Sequence, residues 1–236
     1  MTINYQKIIH HLEEAVFPRF CLSCNEEGQL LCQTCAQNWQ PPIPAYACSI
    51  CGVSSALGLN CYGCGDSCLP DGLLFSFMYA DPVARQLICA WKYDFDHSAK
   101  EILWCKIDSR LDILRNLIEV AKIEAVIPIP LHQHRFCERG FDQAGMLAEF
   151  ITAKTDLPAL NVLKRVRRTG NQAERSDHER MEQMRQSPFQ VVLSAPRRVL
   201  LVDDVWTTGA TAQAATVQLK NAGAQEVYIY TIARGG

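Results

Sequence analysis

The chain has 236 residues, 48% of them apolar and 20% charged, with a formal net charge of −2. That composition is globular and excludes a disordered chain, a collagen-like repeat and a supercharged nucleic-acid tail. No run approaches the roughly 18 apolar residues needed to cross a bilayer, and residues 1–7 lack the basic start and apolar stretch of a secretory signal. The expectation is a soluble, cytoplasmic protein without membrane insertion. At the start of the chain, Ile8, Ile9, Leu12, Val16 and Phe17 fall on one face of a short helix, a packing stripe.

Cysteine is the outlier, with twelve residues placed very unevenly. Cys21 and Cys24, Cys32 and Cys35, Cys48 and Cys51, and Cys61 and Cys64 form four Cys-x-x-Cys pairs; Cys68 is a spare, and Cys89, Cys105 and Cys137 are scattered. Clustered cysteine behind no export signal points to metal rather than disulfides. Two thiolates separated by two residues reach one ion at about 2.3 Å from a tight turn, and two such turns complete a tetrahedron. Gly52 and Gly65 directly follow a pair and suit the left-handed backbone such turns need. The expected cofactor is structural Zn²⁺, one ion or two. Sequential pairing closes the shortest loops, and a cross-braced arrangement is equally compatible with the spacing. A closed all-thiolate site has no open coordination position, which excludes a catalytic role for it. Composition shifts near residue 70, giving an expected zinc-binding module over 1–70 and a second domain over 71–236.

Beyond that point apolar runs take over. Residues 73–79 read as a strand, 82–92 as a helix with Val83, Leu87, Ile88 and Trp91 on one side, and 99–120 as a further helix. Residues 125–130 form a buried strand stopped by Pro128 and Pro130. Residues 142–154 are helical, 161–166 are a short strand, and 191–193 and 199–202 are strands separated by Ala195 and Pro196. A helix over 210–222 ends at Gly223, and 227–232 is an apolar strand. Apolar strands alternating with helices predict an α/β fold, a parallel sheet covered on both faces.

The most informative segment spans 199–211. An apolar strand, Val199 to Val202, ends in Asp203 and Asp204; Thr207, Thr208 and Gly209 form a small-residue loop, and Ala210 and Thr211 open a helix. Ligands of open α/β sheets bind at the carboxyl ends of the strands, and helix N-termini offer free N–H groups to phosphate. Paired carboxylates suit the two vicinal hydroxyls of a ribose. A phosphate on one side and a diol on the other describe a ribose 5-phosphate.

This segment resembles the phosphoribosyl pyrophosphate (PRPP) motif of type I phosphoribosyltransferases. The cysteine pairs, Trp91-Lys92-Tyr93, Pro128-Ile129-Pro130-Leu131-His132 and Arg139-Gly140-Phe141-Asp142-Gln143, in that order ahead of it, extend the resemblance to the competence protein ComF family. It covers nearly the whole chain. Two positions depart from the family pattern: Asp142 stands where Asn is usual, and Met184 to Phe189 replace the usual Asn-Val-x-Gly-Ala-Phe.

The resemblance implies a type I phosphoribosyltransferase-like sheet binding PRPP with Mg²⁺ through Asp203, Asp204, Thr207, Thr208, Gly209, Ala210 and Thr211. It makes Ile129, Pro130, His132, Arg135 and Arg139 the pyrophosphate loop, and residues 164–185 a loop that closes over it. Loss of pyrophosphate would leave an oxocarbenium-like centre for a nitrogen nucleophile, with no dedicated base required. The resemblance also implies single-stranded DNA and other DNA-uptake proteins as partners, the latter through the zinc module. Residues 1–80 are acidic, so DNA is expected on the C-terminal domain, at Lys92, Lys164, Arg165, Arg167 and Arg168, with Trp91, Phe136 and Phe141 available for stacking. Two functions follow: a competence protein handling single-stranded DNA, or an active phosphoribosyltransferase with a nitrogen acceptor the sequence does not specify.

Overall fold

The computed structural model describes residues 18–42, 45–61, 63–64, 70–133, 136–137, 140–166 and 187–235. The stripe from Ile8 to Phe17, Gly65, Cys68, Arg135, Arg139, Arg167, Arg168 and most of the 164–185 loop lie outside them.

After a short helix α1 (Gln33–Asn38) come β1 (Ala45–Ala47) and β2 (Gly72–Met78). Helices α2 (Pro82–Tyr93), α3 (His97–Asp108) and α4 (Leu111–Val120) lead into β3 (Ala125–Pro128) and α5 (Gln143–Thr155). The chain continues through β4 (Leu163–Arg165), β5 (Phe189–Val191), β6 (Arg198–Trp206), α6 (Ala210–Asn221) and β7 (Glu226–Arg234).

One sheet runs β1-β2-β7-β6-β3, and β4 pairs with β5 in a separate antiparallel ribbon. Strands β2, β7, β6 and β3 are mutually parallel, and β1 is added antiparallel at the edge. A parallel sheet is covered on both faces, so its strands need apolar side chains on both. Leu200, Val202, Tyr228 and Tyr230 accordingly join Leu87, Trp91, Leu103 and Leu147 of α2, α3 and α5 in one core. Val199, Leu201, Val227 and Ile229 meet Ala212, Ala215 and Leu219 of α6 in the other, beside Leu163 and Phe189 of the ribbon. The expected α/β fold is the observed one. Among the described residues no helix is long and apolar enough to cross a membrane.

Three elements differ from expectation. The helix read over 99–120 is two, α3 and α4. At the break, Ser109 Oγ donates to the Lys106 carbonyl at 2.8 Å, and the Arg110 guanidinium donates to the Pro41 and Pro42 carbonyls at 2.8 and 2.7 Å. The strand read over 191–193 is displaced to Phe189–Val191. Phe189 is the buried member, and Arg165 opposite it covers its ring at 5.4 Å, while Val192 and Leu193 are exposed. Finally, β6 does not stop at Val202 but continues to Trp206, because β7 pairs with it as far as Trp206 opposite Arg234.

The cysteine-rich segment packs on this sheet. Trp39 stacks on Phe77 with ring centroids 5.4 Å apart, and its Nε1 donates to Asp81 at 3.1 Å. Asp81 also caps α2 by accepting from Ala84 N at 3.0 Å, with Pro82 in the first turn, where its missing N–H costs nothing. Tyr46 donates its hydroxyl to the Ile113 carbonyl at 2.8 Å.

Candidate functional site

The four pairs gather into two clusters, Cys21, Cys24, Cys32 and Cys35, then Cys48, Cys51, Cys61 and Cys64; within each cluster the sulfurs all lie within 4.8 Å of one another. Pairing is therefore sequential, not cross-braced. The Cys24 and Cys32 sulfurs are 3.7 Å apart, and those of Cys51 and Cys61 3.6 Å apart. A tetrahedral ion with bonds of about 2.3 Å has sulfur–sulfur edges of about 3.8 Å, so both clusters have the dimensions of a four-thiolate zinc centre.

The turns that build them are alike. Asn25 N donates to the Cys21 carbonyl at 2.9 Å, and Gly52 N donates to the Cys48 carbonyl at 3.0 Å. The residue after the second cysteine is left-handed in both, Asn25 at φ 61° and Gly52 at φ 74°. Asparagine tolerates that conformation, which is why the glycine pattern did not reveal the first turn. A Cβ at Gly52 would also displace the guanidinium tip of Arg234, whose Nη2 would lie 1.8 Å from it.

Burial alone would raise the Cys21 and Cys48 thiols, but backbone N–H groups of Cys32, Cys24 and Ser23, and of Cys51, Cys61 and Ile50, bring each down to about 6. Hydrogen bonds to Cys61 and Cys51 push Cys64 up to about 12. Each cluster thus starts to ionise easily and resists collecting further negative charge, a conflict that a bound dication removes.

The second assembly is a cleft of about 380 Å³ at the carboxyl ends of the parallel strands. Its walls are Tyr79 after β2, Lys92 and Tyr93 at the end of α2, Ile129, Pro130 and Leu131 after β3, Asp142 and Gln143 at the start of α5, and Arg165 at the end of β4. Its floor is Asp203, Asp204, Val205, Thr207 and Thr211. Adjoining it, Thr207, Thr208, Gly209, Ala210 and Thr211 form a cradle of about 40 Å³ before α6, and Asp203 lines both spaces. Gly209 is required twice over: its φ is 74°, and a Cβ would stand 2.4 Å from the Trp206 ring.

The two acids are anchored differently. Asp203 Oδ1 accepts from Asp204 N at 2.8 Å, and Asp204 Oδ1 from Val205 N at 2.5 Å. The other oxygen of Asp204 lies 2.6 Å from Lys92 Nζ. Burial, and then the neighbouring Asp204 charge, push Asp203 up to about 7. Burial also raises Asp142, against the pull of the Gly145 and Ala144 backbone N–H groups.

The structure thus brings Asp203, Asp204, Thr207, Thr208, Gly209, Ala210, Thr211, Ile129 and Pro130 to one place. His132 is half-buried on the same segment and does not line the cleft. The basic residues expected to form one surface are divided: Lys92 and Arg165 face the cleft, whereas Lys164, one position along β4, is exposed. Sequence reasoning missed Tyr79 as a cleft residue. Its position at the carboxyl end of a strand parallel to β6 was the available signal.

Residues 146–236 match the family model described as Phosphoribosyl transferase domain. Competence protein F of Haemophilus influenzae is 36% identical over 116 residues, 47% of this chain and 50% of that protein, so the match spans half the length of that relative. Competence protein ComFC of Streptococcus pneumoniae is 26% identical over 220 residues, 90% of this chain and 91% of that one. Competence protein ComFC of Bacillus subtilis is 25% identical over 212 residues, 86% of this chain and 84% of that one.

Proposed function

We propose that this chain is a member of the competence protein ComF family and that its cleft binds PRPP together with Mg²⁺ in support of single-stranded DNA handling during competence, a reading supported by its similarity to the three competence proteins and by the phosphoribosyl transferase domain match. One observation carries the ligand: the acid pair and the hydroxyl-rich cradle adjoin, and Asp203 belongs to both. Thr207, Thr208 and Thr211 with the free N–H groups of α6 receive the 5-phosphate, Asp203 and Asp204 accept from the ribose hydroxyls, and the pyrophosphate faces Ile129 and Pro130. Mg²⁺ travels with the pyrophosphate and offsets its charge. Calorimetric titration with PRPP and Mg²⁺ tests this. Binding is expected in the native protein and absent when Asp203 and Asp204 are both replaced by Asn; equal affinity in that variant refutes the site.

The two cysteine clusters hold structural Zn²⁺, supported by their sulfur spacing and all-thiolate donor sets. Single-stranded DNA contacts the C-terminal domain at Lys164, Arg167 and Arg168, and the zinc module faces other DNA-uptake proteins, in the cytoplasm. The family supports that role. In fluorescence anisotropy, affinity for an oligonucleotide should fall with salt by a slope of about −0.7 per phosphate contacted. No binding at low salt would leave catalysis as the better reading. Catalysis has its own support: the cleft extends past the acids to Tyr79 and Tyr93, room for a planar nitrogen acceptor. Pyrophosphate release that depends on an added nucleobase would establish it.

A further inference from the structure

We propose that Lys92 is a positioning residue of the cleft, whose ammonium pairs with Asp204 and from there keeps Asp203 available as the ionised acceptor that a ribose diol needs. The purpose assigned to the pair rests on the PRPP reading; the electrostatic claim does not.

The argument begins in α2. Leu87, Ile88 and Trp91 bury its apolar side, and Trp91, 1% exposed, is stacked on Phe141 at 5.8 Å and meets the edge of Trp104 at 5.1 Å. The residue that follows so firmly held a ring has little freedom of direction. Lys92 Nζ reaches Asp204 Oδ2 at 2.6 Å, with side-chain exposures of 11% and 18% for the lysine and the aspartate. A lysine of a DNA-facing surface would instead keep its ammonium in water.

Two carboxylates adjacent on a buried strand repel one another and ordinarily settle the conflict by retaining a proton. A proton on either acid costs one charge-assisted hydrogen bond to a ligand hydroxyl. The groups facing the pair are Lys92 and Tyr93 from α2, Tyr79 after β2, Arg165 from β4 and Asp142 at the start of α5, with Glu149 further along that helix. Asp142 adds negative charge, so its departure from the family's asparagine makes the demand on a cation greater. Lys92 and Arg165 both draw Asp203 downward, and burial with Asp204 still leaves it at about 7. Removing Lys92 therefore moves the proton uptake of the pair to higher pH.

The test compares the native protein with Lys92→Met and Lys92→Arg in two ways. The carboxyl carbons of Asp203 and Asp204 are followed by NMR from pH 5 to 9 in free protein, and PRPP–Mg²⁺ affinity is measured over the same range. Lys92→Met should raise the titration midpoint of the pair by about one unit, and Lys92→Arg should leave it near the native value. PRPP affinity in Lys92→Met should be about tenfold weaker than native below both midpoints and return to the native value above them. Protonation of PRPP itself is common to all three proteins and cancels. If Lys92→Met does not fold, Lys92→Gln removes the same charge and is judged by the same criteria. An unchanged carboxyl titration overturns the proposal, as does an affinity loss equal at every pH, which marks a direct ligand contact. If no protein binds PRPP while the carboxyl midpoint moves, the ligand reading falls and the role of Lys92 stands.

Discussion

Gly209 and Asp203 show how much of the candidate site turns on single side chains. Replacing Gly209 by Ala puts a methyl group 2.4 Å from the Trp206 ring, at a φ of 74° that L-residues rarely adopt. We expect destabilisation of about 1–3 kcal/mol in urea unfolding, and weaker PRPP binding at temperatures where the variant is still folded. Asp203 offers a test of sign. Its folded-state value is raised to about 7, whereas an unfolded aspartate titrates near 4 (about 3.9). Between those values the folded protein holds the extra proton, so this residue lowers stability progressively as pH rises from about 4 to about 7. Asp203→Asn should therefore be stabilising at pH 8 and close to neutral at pH 4 in denaturant melts, and the reverse order would contradict the burial of this acid. Asp203 and the threonines were legible because charge and hydroxyls stand next to one another in the chain. The partner of Lys92 was not, because α2 and β6 are far apart in the chain and come together only in the folded core.

At the scale of elements, apolar periodicity located most helices and strands beyond residue 70 and misplaced their ends for specific reasons, whereas α1 and β1 of the cysteine-rich segment were not read from it. Asp203 and Asp204 carry no strand signature; β7 extends β6 through them by pairing Asp203 with Thr231 and Trp206 with Arg234. The break between α3 and α4 depends on Arg110 reaching Pro41 and Pro42, a contact across distant parts of the chain. Arg110→Ala should cost about 1 kcal/mol, and hydrogen exchange should quicken in the segment around Pro41 while β6 stays protected. The cysteine turns are elements too. Elemental analysis of protein purified without added metal should find two zinc ions per chain. Cys48→Ser should release the ion of the second cluster and leave the first loaded; loss of both from that one change would mean that the clusters do not bind independently.

Over the whole molecule, the class of fold was readable because short apolar runs bounded by turn residues alternate with amphipathic helices. The order of those strands was not, since β1-β2-β7-β6-β3 is a matter of pairing between distant segments. Nor was the way the cysteine module joins the sheet. Arg234, at the end of β7, donates to the Gly52 carbonyl at 3.1 Å and lies over the Phe75 ring at 5.7 Å, so the second cysteine turn is fastened where β2, β7 and β6 end together. Stripping zinc with a chelator should therefore lower PRPP affinity as well as melt the module, and equal affinity with and without metal would show the two halves to be energetically separate. The place of β7 has a consequence for biosynthesis. It sits between β2 and β6, yet the ribosome makes it after both. As they emerge, β2 and β6 therefore have no partner for the edges that β7 will later occupy. Each cysteine cluster, by contrast, is complete within a short stretch of nascent chain and can take up its ion early. A translational pause before residue 226 would hold the molecule with its cysteine turns closed and the edge of β2 exposed, the state in which chaperone capture or aggregation decides its yield.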